Sequence, residues 1–277
     1  MIRRTFFLTA LWLTLGAMPA LAQNGEHKGS IAPVPFGPGE RLTYRVDLGM
    51  FGHVGNGSME VLRVDTLHGH PVYHLRFDVK GSVLFAKVED RLQSWLDVSL
   101  LASRRFEQKQ HEVRYKRHRI FDFFPEERRW ARVDKDEGGE LHTAEPLDDV
   151  SFIYFVRTIP LEVGKTYTFD RYFKEDGNPV TVQVLRKEKV TVPAGTFETI
   201  VVRPIIKTKG LFGDGGEAEI YFTDDHRRLI VQLRSKVPVI GSLNLYLESY
   251  MPGERLTSLE PGGGAGAGSA GVRGGGR

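Results

Sequence analysis

His68, His70 and His74 stand close enough in the chain to share a metal ion, since zinc takes imidazole nitrogens readily. Gly69 and Pro71 turn that stretch into a bend, where histidines usually face water. Asp224-Asp225-His226 places acids beside a base but sits between two strand-like runs, so it reads first as a hairpin turn. Asp148-Asp149 with Ser151 has the spacing of a helix N-cap before that of a catalytic pair. Asp97, Asp224 and His226 are the best acid-base candidates if the chain is a hydrolase of envelope polymers. No nucleophile elbow, phosphate-cradling glycine loop or zinc-helix motif occurs, and there is no cysteine. Thiol catalysis, a cysteine zinc site and a lipid-anchored cysteine are thereby excluded. The reading is of a non-enzyme with no catalytic residue, metal or cofactor assigned.

Apolar bends are the sharper feature. Met50-Phe51 lies between Gly49 and Gly52, and Val83-Leu84-Phe85 follows Gly81-Ser82. Leu211-Phe212 lies between Gly210 and Gly213, and Val239-Ile240 between Pro238 and Gly241. Turns normally expose polar side chains. Such tips either fold back over the core or present a contact surface. Phe51, Leu84, Phe85, Leu211, Phe212 and Ile240 are therefore the candidate ligand-binding residues.

The elements that would carry these bends are strands. Leu42–Val46, Met59–Val64, Val180–Val184 and Glu217–Phe222 alternate apolar and polar residues, the period of an antiparallel strand with one buried face. Turn residues fill the gaps: Gly55–Gly57, His68–Pro71, Glu175–Pro179 and Pro193–Gly195. Asp148–Arg157 breaks the pattern. Acids at its start, Arg157 at its end and Pro160 beyond it predict a short helix; its aromatic content leaves a strand as the alternative. The dense basic and aromatic stretch from Arg104 to Arg132 reads as a hairpin turning near Pro125-Glu126, its cations on the outer face.

Two halves look alike. Leu75-Arg76, Leu84-Phe85 and Trp95-x-Asp97 recur at one common spacing as Val202-Arg203, Leu211-Phe212 and Phe222-x-Asp224. Val61-Leu62-Arg63 matches Val184-Leu185-Arg186, and Tyr44 falls opposite Tyr167. The expected fold is mainly β: an antiparallel β-barrel, or two facing curved sheets from an internal duplication, with one short connecting helix. Residues 36–256 form the β-rich domain, with halves of about 36–145 and 160–256.

Arg3 and Arg4, the apolar run Phe6–Ala17 and Ala20-Leu21-Ala22 predict a cleavable signal peptide over residues 1–22. Arg3-Arg4 also partly resembles a twin-arginine signal. A flexible lead-in follows over 23–35, and a disordered Gly-rich tail is expected over 257–277. The expected location is the periplasm or cell envelope. The whole chain carries +3, and loss of Arg3 and Arg4 with the leader would leave +1. That is too weak a field to recruit nucleic acid.

Gly39-Glu40-x-Leu42-x-Tyr44, Asp149-x-Ser151-x2-Tyr154-x2-Arg157, Val192-x-Ala194-Gly195-x-Phe197 and Asp224-Asp225-x-Arg227-Arg228-Leu229 follow one another in this order. Together they resemble the exported bacterial family known as domain of unknown function 3108. The resemblance implies an envelope β-rich protein and supplies no catalytic residues. The functional expectation is a non-catalytic envelope protein that binds a lipid or glycolipid in a cleft between its β halves. The alternatives are an assembly partner of another envelope protein and the hydrolase named above.

Overall fold

Residues 31–83, 86–112, 115–207, 218–237 and 241–257 are described by the computed structural model. The two-residue period becomes one antiparallel meander. β1 (Arg41–Leu48), β2 (Gly52–Leu67), β3 (His70–Val83), β4 (Ala86–Asp97), β5 (Ser103–Glu112) and β6 (Tyr115–Phe124) pair in sequence order. The short β7 (Arg129–Arg132) and β8 (Gly138–Glu140) end that side. The second half runs through β9 (Thr166–Phe169), β10 (Val180–Val192), β11 (Gly195–Ile205), β12 (Glu219–Thr223), β13 (Ile230–Val237) and β14 (Gly241–Met251). β14 pairs with β1, so both halves form one sheet of fourteen described strands, ending at β8 and β9 without closing. The expectation of a mainly β, barrel-like fold with one helix holds, and the two facing sheets are joined into one.

Helix α1 (Asp149–Val156) lies between the halves in sequence and is buried along its whole length. Asp148 caps it: its carboxylate accepts from the Val150 and Ser151 amides, while the Ser151 hydroxyl accepts from the Asp148 amide. This reciprocal pattern satisfies the free amides of a first turn. Phe152, Ile153, Tyr154, Phe155 and Val156 join a single apolar core with Leu42, Tyr44, Leu75, Leu96, Phe106 and Phe123. The curved sheet wraps the helix at one end.

Two local readings change. Gly55 and Gly57 lie inside β2 and are not a turn. A Cβ on Gly55 would stand 2.1 Å from the Lys80 carbonyl oxygen of β3, so these glycines permit close strand approach. The basic stretch does turn as expected at Pro125–Glu127, between the antiparallel β6 and β7, with β5 as a further strand before them. Its cations alternate in direction. Phe121 and Phe123 are buried, so the two-residue period turns Arg117 and Arg119 inward with them. The matched triplets share a feature: β2 shifts register between Val61 and Arg63, and β10 shifts between Val184 and Arg186.

Candidate functional site

The two ends of the sheet differ in chemistry. At the helix end, the Asp148 carboxylate also accepts from Ser94 at 2.6 Å and Ser103 at 2.8 Å. Burial pushes its pKa up to about 6, against the pull of these hydrogen bonds. Aspartate and three serines would suit acyl transfer if they met solvent. All four are buried, and the carboxylate oxygens are occupied in holding the helix.

Beside them, Arg157 grips Glu40 with both terminal nitrogens, at 2.6 and 2.9 Å, and donates to the Arg227 carbonyl at 3.0 Å. Tyr172 donates to Asp149 at 2.7 Å, and Tyr44 donates to the Ile230 carbonyl at 3.1 Å. Residues from three of the four stretches that carry the family resemblance therefore meet around α1. They fasten the start of β1 and the β12–β13 hairpin to the helix.

The hydrolase candidates are held by other partners. Asp97 accepts from the Ser99 and Leu100 amides and from Arg104. Asp224 pairs with Lys187 at 2.6 Å. Asp225 clamps Arg227 and orders the β12–β13 turn that contains His226. The three histidines point to separate neighbours: His68 to Asp122 at 3.2 Å, His70 to Asp97 and Glu126, and His74 to Asp65 while stacked on Trp95. A groove of about 1220 Å³ also lies at this end, between Ile31–Pro35, Arg157–Pro160, Asp225-His226 and Arg255–Thr257. It is wide and open, and charged side chains break up its apolar surface.

The opposite end carries the apolar bends. β1 starts at the helix end beside Glu40, so every second turn of the meander falls at the far end. Those turns include the ones that join β1 to β2, β3 to β4, β5 to β6, β11 to β12 and β13 to β14. Met50 and Phe51 are there, 92% and 42% exposed. Leu84, Phe85, Leu211, Phe212 and Ile240 lie outside the described residues. The described strands on either side of each end at this same end.

Inward-facing positions lose burial toward this end, strand by strand. On β1, Leu42, Tyr44 and Val46 are buried, while Leu48 is partly exposed. On β3, Tyr73, Leu75 and Phe77 are buried and Val79 is partly exposed; on β14, Leu247 and Leu245 give way to Leu243 in the same manner. On β4, Leu96, Ser94 and Leu92 give way to Asp90; on β6, Phe123 and Phe121 give way to Arg119 and Arg117. Inward positions are fully buried near α1 and only partly buried away from it. Those on β14–β1–β2–β3 are apolar. Those on β4–β5–β6 include Asp90, Gln108, Gln110, Arg117 and Arg119. Nothing in the alternation of the basic stretch by itself marked Arg119 as inward; the buried Phe121 and Phe123 supply that phase.

The outer face is of a different kind. Arg76 pairs with Glu60, Arg91 with Asp78, Arg105 with Asp122 and His118 with Glu107 across neighbouring strands. Charge at mid-strand over β2–β6 makes a water-facing surface, since a lipid-facing barrel wall carries apolar residues there. Among the described residues, no helix is long and apolar enough to cross a membrane.

Residues 43–248 match the family model described as "Protein of unknown function (DUF3108)". Among solved structures, the chain is similar to a β-barrel-like protein of domain of unknown function DUF1849 from Brucella abortus. That likeness has 11% identity and a TM-score of 0.51, covering 80% of this chain and 100% of that one. The chain also matches a protein from Parabacteroides distasonis at 10% identity and a TM-score of 0.35, again over 80% and 100% of the two chains. A Bacteroides fragilis protein with a YmcC-like fold matches at 10% identity and a TM-score of 0.36, with the same coverage. The Brucella likeness concerns the fold alone, and the other two carry no argument. No curated protein matches the chain.

Proposed function

The chain belongs to the DUF3108 family, matched over residues 43–248, and from that premise we propose that it is a non-catalytic binding protein of the bacterial envelope. Its ligand is amphipathic, a lipid or glycolipid, and enters the far end of the barrel-like sheet. The observation that carries this reading is the loss of burial along the inward face of β1, β3, β4, β6 and β14 away from α1. Val46, Phe77, Leu92 and Leu245 form an apolar floor with Val79 and Leu243 packed against the same core, and Leu48 at the end of β1 is partly exposed. Burying such side chains stabilises by about 1.5–3 kcal/mol each, so a few of them suffice to hold an acyl chain.

The cleft expected between the halves is filled at the helix end by α1, which moves the ligand to the opposite end. The envelope location rests on the signal-like Arg3–Ala22 segment, which lies outside the described residues. The hydrolase alternative is weakened by the partners that hold Asp97 and Asp224. The assembly-partner alternative draws on the exposed Met50 and Phe51.

Native mass spectrometry of gently purified protein tests the reading. A bound lipid mass is expected in the wild type, reduced in a Leu243→Asp variant that folds normally. A clean apo mass that stays clean after incubation with lipid would contradict it. Cross-linking through position 51 that traps a specific protein would favour the assembly partner.

A further inference from the structure

We propose that the head group of this amphipathic ligand is anionic, a phosphate or carboxylate, and that Arg119 receives it where the far end of the sheet meets the β6–β8 side of the seam between β8 and β9. The inference rests on the binding reading above and adds the ligand's charge.

The sheet does not close between β8 and β9. A cleft of about 410 Å³ lies on the β6–β8 side of this seam, lined by Arg119, Phe121, Trp130, His142, Phe173 and Lys174 among others. Its floor is aromatic: the Phe121 ring lies 6.0 Å from Trp130 and 5.5 Å from Phe173. Phe173 in turn reaches Phe106 and Phe123 of the core. Arg119 belongs to both spaces, since it shares the inward face of β6 with Phe121 and also lines this cleft.

The acids and bases of this cleft are unevenly matched. Arg132 is tied to Asp134 and Glu137, and Lys135 is tied to Glu137. Glu140 and Glu175 stand exposed at the lip. Arg119 and Lys174 make no ion pair with any described residue within 4.0 Å. Lys174 lies 5.1 Å from the Phe173 ring centre and is also attracted by the buried Asp149 carboxylate. Arg119 is only partly exposed, and opposite it on β5 stands the neutral Gln108. The acid that Arg119 feels, Glu137, is already shared with Arg132 and Lys135, so a partly withdrawn guanidinium has room for a further anion. A guanidinium is also the group best shaped to grip phosphate or carboxylate with paired hydrogen bonds. An acyl chain on the apolar strands and an anion on Arg119 would satisfy both sides of the far end at once.

Calorimetric titration of the full chain with dodecyl phosphate, dodecyl maltoside and inorganic phosphate, each amphiphile below its micelle concentration, tests this. Dodecyl phosphate is expected to bind about tenfold more tightly than dodecyl maltoside, the scale of one charge-assisted hydrogen-bond pair. Arg119→Gln should erase that preference and leave maltoside affinity unchanged, while Arg119→Lys should keep most of it. Inorganic phosphate alone should give no measurable heat. Equal binding of the two amphiphiles by the wild type, or a preference that survives Arg119→Gln, would overturn the head-group assignment and leave the binding reading standing. Failure of both amphiphiles to bind would overturn the two together. Tight binding of inorganic phosphate without gain from the chain would replace the amphiphile by a free anion.

Discussion

Asp148 shows how one side chain can be indispensable and still costly. Its carboxylate anchors α1 through the Val150 and Ser151 amides and the Ser94 and Ser103 hydroxyls. Burial nevertheless raises its pKa from the ordinary 3.8 to about 6. Between those values the folded chain holds a proton that the unfolded chain has released, so this group's contribution is fully present below pH 3.8 and is lost as pH rises through about 6. The span corresponds to about 3 kcal/mol. Asp148→Asn keeps an acceptor for the cap and removes the titration. Urea midpoints at intervals from pH 4 to pH 7 should therefore show a smaller fall for the variant than for the wild type. Parallel profiles would show that Asp148 does not titrate in this range.

The cap was legible in the sequence because Asp148 and Ser151 stand at capping-box spacing before an apolar run. Arg119 was not. The cations between Arg104 and Arg132 look like an outer face until Phe121 and Phe123 are known to be buried, since a shift of one residue in strand phase exchanges inside for outside.

At the scale of elements, α1 is a plug locked by charge. Arg157 and Glu40 are both buried and pair with two hydrogen bonds. Removing one partner leaves an uncompensated charge in the core, so Arg157→Met should destabilise by about 3–5 kcal/mol. The double variant Glu40→Gln with Arg157→Met should recover most of that loss in chemical denaturation. A single variant as stable as the wild type would contradict the lock. The family resemblance was therefore readable from Glu40, Arg157 and Arg227 before their purpose was, because their contacts join segments distant in sequence.

The strands were legible through alternation, and the helix through its acids, its arginine and Pro160. Gly55 and Gly57 misled, because a glycine that admits a neighbouring backbone looks in sequence like one that makes a turn. The register shifts after Val61 and after Val184 are a feature that the two matched triplets share. They fall within triplets matched by sequence alone, and bulges are specific features of a strand pair.

Across the whole molecule, α1 is buried at one end of the sheet, and inward side chains are more exposed at the other. Apolar tips were visible in the sequence as glycine-flanked pairs. That they share an end follows only from the meander order, in which alternate turns fall together. Phe51 is the one tip candidate among the described residues, and it is 42% exposed.

The central claim is that the far end takes the acyl chain, and photolabelling with a diazirine-bearing fatty acyl phosphate tests it most directly. Mass-spectrometric mapping should place the label on peptides containing Val46–Leu48, Val79 or Leu243–Leu245. Label confined to Ile31–Pro35 and Ile159 at the helix end, or no label under conditions where a known lipid carrier is modified, would contradict the account.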